Sequence, residues 1–235
     1  MKRLCTIAVR GGSKGVPGKN WREINGLPLF AYSLLQAVES GLFDRIVVTS
    51  DADEVLSTAT TFGATDLIAR PATLASDTSG KVPAIVHALQ EVERNNNMTF
   101  DTIVDLDATS PLRDISDIHG AVSLLESSEI ESVITATEAH RSPYFNLVEI
   151  NPETGKVEVS KKLPESILRR QDAPRTFDMN ASIYVWNRNS LIDNPQVFFD
   201  STKIFEMPPE RSQDIDSEFD FKIVSWLLEQ RGSHG

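Results

Sequence analysis

Short apolar runs alternate along the chain with stretches whose apolar positions return at helical spacing. Leu4 to Val9, Arg45 to Thr49, Asp66 to Ala69, Thr102 to Leu106 and Ser132 to Thr137 read as buried strands. Between them, Pro28 to Ser40, Ser50 to about Phe62, Lys81 to Asn95 and Ile115 to Ser127 read as helices. The first carries Leu29, Ala31, Leu34, Leu35 and Val38 on one face, and Gly41 and Gly63 punctuate two of the ends. Such alternation predicts an α/β fold with a mostly parallel sheet sandwiched between two layers of helices. Ligands of such sheets bind beyond the carboxyl ends of the strands.

The rhythm breaks between residues 140 and 175. Tyr144 to Ile150 and Lys156 to Ser160 read as a hairpin across Asn151-Pro152-Glu153-Thr154-Gly155, a projecting arm whose apolar face needs a cover. Near the end, Ser217 and Asp220 have capping-box spacing and open a helix expected to turn Phe219, Ile223, Trp226 and Leu227 inward.

Length and composition narrow this picture. The 235 residues, 40% of them hydrophobic, fit one domain spanning 1–235 with a sizeable core. Cys5, the single cysteine, permits no internal disulfide and is expected as a small buried residue. The first apolar run is too short for a signal-peptide core or a membrane span, so a cytoplasmic protein without membrane association is expected. The formal charge is -11, yet Met1 to Arg22 hold six Lys and Arg and no acid. Concentrated cations on an acidic chain suit a specific anion better than nucleic acid.

That anion site is expected in Ile7 to Asn20, IAVRGGSKGVPGKN, where a strand stops in a glycine-rich loop. Glycines bring bare backbone N–H groups close to a ligand, and Arg10, Lys14 and Lys19 add charge suited to a polyphosphate. Neither G-x-x-x-x-G-K-[ST] nor G-x-G-x-x-G fits the segment. Late in the chain, Asp214 and Asp216, spaced by two in Gln213-Asp214-Ile215-Asp216, can face one side and share an oxygen-rich site for Mg²⁺.

The loop, Arg70-Pro71, Thr109-Ser110-Pro111-Leu112-Arg113, Arg169-Arg170-Gln171, Asn180-Ala181-Ser182-Ile183-Tyr184-Val185 and the Asp214 segment occur in the order found in the cytidylyltransferases that activate sialic acids. The chain resembles this CMP-N-acylneuraminate synthetase family over nearly its whole length. The resemblance implies a nucleotide-diphospho-sugar transferase-like, Rossmann-like fold with a hairpin dimerisation arm at about 140–175. It implies transfer of CMP from CTP to the anomeric 2-hydroxyl of a nine-carbon 2-keto sugar acid for surface glycan synthesis. Partners would be CTP, a nonulosonic acid and a second copy of the chain.

Within that resemblance, Arg10, Gly11, Gly12, Ser13, Lys14, Asn20, Arg70 and Ser79 are expected at the nucleotide, with Arg10, Lys19 and Asp216 catalytic and Asp214 and Asp216 on Mg²⁺. Asp107, Thr109, Ser110, Arg170, Gln171, Asn180, Ser182, Tyr184, Phe198 and Phe199 are expected at the sugar. Arg170 would meet its carboxylate, and Tyr184, Phe198 and Phe199 would wall an acyl group. Three departures fall on the sugar side: Asp107 replaces a glutamine, Phe145 a lysine and Asp178 an arginine. Because ionised aspartate only accepts hydrogen bonds, Asp107 implies either a different sugar substituent, as in a legionaminic-type acid, or help in holding the metal. Rival readings are an eight-carbon Kdo-type cytidylyltransferase, a glycosyltransferase with an Asp-x-Asp metal site, and a nucleotide sensor without turnover. No histidine is placed to act as base.

Overall fold

A computed structural model of the chain describes residues 1–12, 15–76, 79–164 and 169–232. In chain order the elements are β1 (Arg3–Val9), β2 (Glu23–Ile24), β3 (Leu27–Pro28), α1 (Leu29–Ser40), β4 (Arg45–Ser50), α2 (Asp53–Ala59), β5 (Asp66–Ala69), α3 (Ala72–Ala75) and α4 (Lys81–Asn96). Next come β6 (Thr102–Leu106), α5 (Ile115–Glu126), β7 (Ser132–Glu138), β8 (Val148–Ile150), β9 (Val157–Val159), β10 (Phe177–Asn187), α6 (Arg188–Asp193), β11 (Lys203–Glu206) and α7 (Glu218–Gly232). Every strand and helix that the apolar pattern predicts is present, most within a residue or two of its expected ends.

Seven strands form one sheet in the order β11-β7-β10-β6-β1-β4-β5. β1 pairs in parallel with both β4 and β6, β4 with β5, and β7 with β11, while β10 alone runs antiparallel, between β6 and β7. The chain moves outward from β1 through β4 to β5, then crosses to β6 on the other side of β1. This reversal opens a crevice at the carboxyl ends of β1 and β6, where the flanking loops diverge.

Alternation along the strands feeds two core layers. Cys5, Ile7 and Val9 face α1, α2 and α5, packing with Phe30, Leu34, Val55 and Ile118. Leu4 and Val47 face the other way, toward Ile85, Leu89 and Val92 of α4 and toward Trp186. Burial also explains the Cys5 thiol, whose pKa is pushed well up chiefly by loss of solvent.

A third apolar cluster matters most for the site. Val16 from the amino-terminal loop and Ile215 from the late acidic segment, both with no exposed surface, pack with Leu29, Leu112, Phe221 and Val224. Two segments about 200 residues apart in sequence are thus held together by burial of one apolar side chain from each. α7 contributes Phe221, Val224 and Leu228 to this cluster, while Phe219 and Trp226 are 70% and 58% exposed. The expected inner face is corrected in part: the capping box forms as expected, with Asp220 N donating to Ser217 Oγ and Ser217 N to Asp220 Oδ2, and Leu227 packs against the cluster, but Phe219 and Trp226 lie outside the buried stripe.

The hairpin is shorter than its apolar pattern suggests. It forms a separate two-stranded sheet of β8 and β9, turning at Gly155 with φ +68°, and leaves Val148, Ile150 and Val157 more than half exposed.

Candidate active site

The crevice is a cleft of about 560 Å³ lined by residues from both ends of the chain, within the usual range for small-molecule sites. Arg10, Gly12, Gly15, Lys19 and Asn20 come from the loop after β1; Arg70 and Ser79 from the stretch between β5 and α4, and Lys81 from the start of α4; Asp107, Ala108 and Thr109 from the loop after β6. Ala181 and the pair Asp214 and Asp216 close it.

On the loop side, Asn20 is buried and its Nδ2 donates to the Arg10 carbonyl at 2.9 Å, tying the loop's return to its start. Its Oδ1 finds no partner among the described residues. Gly11 N donates to Asp51 Oδ1 at 2.9 Å, and Arg10 Nη1 donates to the Ser76 carbonyl at 3.3 Å. Ser13 and Lys14, also expected at the nucleotide, lie outside the described residues, as do Asp77 and Thr78 of the Ser76 to Ser79 turn. Arg70 is almost fully buried, and its Nη2 donates to the Thr49 carbonyl at 2.9 Å. Its Nε has no partner among the described residues, leaving a buried donor on the cleft wall. Burial lowers the Arg70 pKa, opposed by Asp51 and Asp105.

The loop and the acidic pair meet directly. Lys19 Nζ donates to the Ile215 carbonyl and lies 3.4 Å from Asp216 Oδ1. Gly15 sits against the backbone of the same segment, so that a Cβ there would stand 2.3 Å from the Asp216 carbonyl oxygen. Ile215 N donates to the Thr109 carbonyl at 3.1 Å, which fixes the acidic segment to the end of β6. With Ile215 turned into the core, Asp214 and Asp216 both line the cleft, as their spacing predicts. Burial raises the Asp214 pKa, and Asp216 adds to the rise. A site that disfavours its own carboxylate charge is one that a cation relieves. Among the described residues no group of three or more metal-ligating side chains converges. Two carboxylates fit Mg²⁺, which commonly takes one or two and fills its remaining positions with water and substrate phosphates.

The sugar-side expectations fare differently. Thr109 lines the cleft, whereas Ser110 is buried with its Oγ outside the lining. Asn180 and Ser182 are buried, and both side chains are engaged within the protein. Asn180 accepts from Thr135 Oγ1 at 2.7 Å and donates to Ser212 Oγ at 2.9 Å, while Ser182 Oγ accepts from Arg113 Nε at 2.9 Å. Between them, Ala181 holds φ +52° at the irregularity where β10 shifts register against β7. A non-glycine residue there carries backbone strain on the cleft wall.

The aromatic trio does not form one wall. Tyr184 is nearly buried and stacks on Trp186 at 5.4 Å, and Phe199 packs against the same core layer. Phe198 is 60% exposed and borders a separate apolar groove with Met179 and Ile204. Arg170 lies in a short 3-10 turn, Arg170–Asp172, and the exposed Gln171 borders a further hollow with Pro174 and Arg175. Among the described residues that line the cleft, Gln171 does not appear.

Three residues not anticipated from sequence shape the cleft. Lys81 Nζ bridges Asp105 Oδ2 at 2.5 Å and Asp107 Oδ2 at 2.7 Å. Burial opposes the Lys81 charge, but the two carboxylates outweigh it and raise the pKa; burial likewise opposes the Asp107 charge, and Lys81 with the Thr109 hydrogen bonds drives its pKa well below the ordinary range. Beneath them Arg113, 1% exposed, donates to Ser33 Oγ, Ser182 Oγ, Gln36 Oε1 and the Asp107 carbonyl, and burial brings its pKa down to about 10. The Asp105 and Asp107 spacing at a strand end was a readable signal, since alternate residues share a face.

Known proteins are similar to this chain along nearly its whole length. A CMP-N,N'-diacetyllegionaminic acid synthase of Campylobacter jejuni is 46% identical over 225 residues, covering 96% of this chain and 94% of the relative. The post-translational flagellin modification protein B of Campylobacter coli is 44% identical, covering 97% and 95%. Among solved structures, a CMP:2-keto-3-deoxy-manno-octonic acid synthetase complexed with CTP superposes with a TM-score of 0.71 at 17% identity, covering 98% of this chain and all of that one, which shows the shared fold. The family model described as cytidylyltransferase matches residues 4–222, and the chain belongs to that family of nucleotidyltransferases.

Proposed function

We propose that the chain transfers the cytidylyl group of CTP to the anomeric 2-hydroxyl of a nine-carbon 2-keto sugar acid of the legionaminate or N-acylneuraminate type, releasing pyrophosphate. The observation that carries this reading is the meeting of the cationic loop with the late acidic pair in one cleft, Lys19 Nζ standing 3.4 Å from Asp216 Oδ1. The diacetyllegionaminate named for the relative that is 46% identical supports the acid proposed.

Arg10 and Lys19 bind the phosphates and neutralise the charge that moves onto departing pyrophosphate. Asn20 and the glycine backbone hold the loop that presents them, and Arg70 and Ser79 contact the base. In-line approach of the sugar hydroxyl to the α-phosphorus makes positioning and charge neutralisation the main sources of catalysis. Asp214 and Asp216 would hold Mg²⁺, which when bound supplies Lewis-acid stabilisation of phosphate charge and acidifies a nearby hydroxyl. The exposed apolar residues of the hairpin, Val148, Ile150 and Val157, support a homodimer that uses the arm as its contact, and Arg170 and Gln171 would serve the partner's sugar site across it. The enzyme works in the cytoplasm.

Pyrophosphate release from CTP and Mg²⁺ with a panel of acids tests this reading. The expected order of kcat/KM is diacetyllegionaminate first, N-acetylneuraminate next and an eight-carbon acid last. No release with any of them would refute it, and preference for the eight-carbon acid would replace the substrate. Light scattering of the purified chain should give twice the monomer mass.

A further inference from the structure

The sequence left Asp107 either on the sugar or on a metal, and the geometry favours neither. Its Oδ1 already accepts from Thr109 N at 2.8 Å and Thr109 Oγ1 at 2.7 Å, and its Oδ2 accepts from Lys81. Asp105, fully buried, accepts from Thr6 Oγ1 at Oδ1, 2.8 Å, and its Oδ2 forms an ion pair with Lys81. The two carboxylates therefore serve the lysine. An ammonium has three N–H donors and no acceptor. One is committed to Asp107 and the ammonium also pairs with Asp105, while the side chain keeps 30% of its surface exposed on the cleft wall. The ring of Tyr184, 5.5 Å from Nζ, backs the same spot.

With Arg113 beside them, the two carboxylates balance two cations and leave the group near neutral. The ammonium therefore offers an approaching group a hydrogen bond rather than a net positive charge, which suits a neutral oxygen. Thr109, which donates to Asp107, accepts at its carbonyl from Ile215 N, between the two late aspartates, so the group stands toward the acidic end of the cleft. The nucleobase side already has the unpartnered Nε of Arg70 and, beside it, Ser79.

We propose that Lys81 is a specificity residue for the acceptor: its ammonium, locked between Asp105 and Asp107, donates to a neutral oxygen of the sugar acid, a hydroxyl or an amide carbonyl. Asp105 and Asp107 are positioning residues for that donor. A glutamine at residue 107 would offer its own amide donor; this chain moves the donor onto Lys81 and uses residue 107 to aim it. The inference rests on the cytidylyl-transfer reading above.

The test compares wild type, Lys81→Met and Asp107→Asn in steady-state pyrophosphate release, using whichever acid wild type turns over best. Lys81→Met should raise the KM for the acid about 10- to 100-fold, the worth of one hydrogen bond to a charged group, and leave the KM for CTP unchanged. Asp107→Asn should shift the acid KM in the same direction by less. Acids lacking single hydroxyl or acyl groups supply the second readout: for one of them, wild type and Lys81→Met should become equal. An unchanged acid KM in Lys81→Met overturns the proposal, and so does a CTP KM that rises by the same factor, which would put Lys81 on the nucleobase. Should Lys81→Met fold poorly because Asp105 loses its partner, the double variant Asp105→Asn/Lys81→Met removes the stranded charge and carries the same expectations. Absence of turnover by wild type itself, with every acid, removes the underlying reading and this inference together.

Discussion

Gly15→Ala isolates the contact between the amino-terminal loop and the late acidic segment without removing any charged group. The added Cβ would lie 2.3 Å from the Asp216 carbonyl oxygen, against ordinary contacts of 3.4 Å or more. Both partners are backbone, so neither can swing aside as a side chain does. Relief requires the loop and the segment to separate by roughly 1 Å, and misplacement on that scale costs about 100-fold in rate when it falls on groups that position a reaction. Arg10 and Lys19 ride on one side of the contact, Asp214 and Asp216 on the other, so their spacing changes as a unit. The assay is steady-state pyrophosphate release with CTP and the preferred sugar acid, beside a thermal melt. The expected result is a kcat/KM about 100-fold down with cooperative unfolding retained. A variant that melts normally and keeps kcat/KM within about twofold would refute the coupling of loop and segment.

Other variants probe separate parts of the site. Lys19→Ala should lower kcat by about 100- to 1000-fold, the cost of removing one donor to developing charge, while circular dichroism stays that of the folded chain; turnover at the parent rate would exclude its role. Ala181→Gly relieves a φ of +52° and should stabilise the protein by about 1 kcal/mol, read as a melting temperature higher by roughly 2–4 °C. Asp107→Asn should cost about 1.5–3 kcal/mol at pH 7, since the native carboxylate forms charge-assisted bonds to Lys81 and Thr109. The Asp107 pKa is lowered on folding, so this stabilisation is complete above the ordinary value of 3.8 and is lost as pH falls toward the depressed one. Melting temperatures of wild type and variant should therefore differ most near neutrality and converge in acid; a gap that stays constant below pH 3.8 would contradict the ion pair.

Strands and helices were legible because their signals are local. Apolar runs such as Ile103 to Leu106, and stops such as Gly41 and Gly63 with φ of +63° and +102°, carry their meaning within a few residues. The loop and the Asp214 pair were legible for a similar reason, glycines with cations in one case and alternating acids in the other. What escaped depends on partners far along the chain. α7 has two stripes at helical spacing, Phe219 with Ile223 and Trp226, and Phe221 with Val224 and Leu228. Only the positions of Val16, Ile24 and Leu29 decide that the second is buried.

Asn180 and Ser182 look like ligand residues in isolation, but Thr135, Ser212 and Arg113, which engage them, come from three other segments. Lys81 sits at a helix start and reads as an ordinary surface lysine until β6 brings two carboxylates to it. Buried polar side chains must find partners, and long-range partners are what one-dimensional patterns lack.

The central claim is that the cationic loop and the two late aspartates grip one Mg²⁺-bound triphosphate. Calorimetric titration of CTP, with and without Mg²⁺, into wild type and the double variant Asp214→Asn/Asp216→Asn tests it most directly. Mg²⁺ should tighten CTP binding to wild type by about tenfold or more, the scale of one charge-assisted interaction, and leave the affinity of the variant unchanged. The same gain from Mg²⁺ in both proteins would contradict the account.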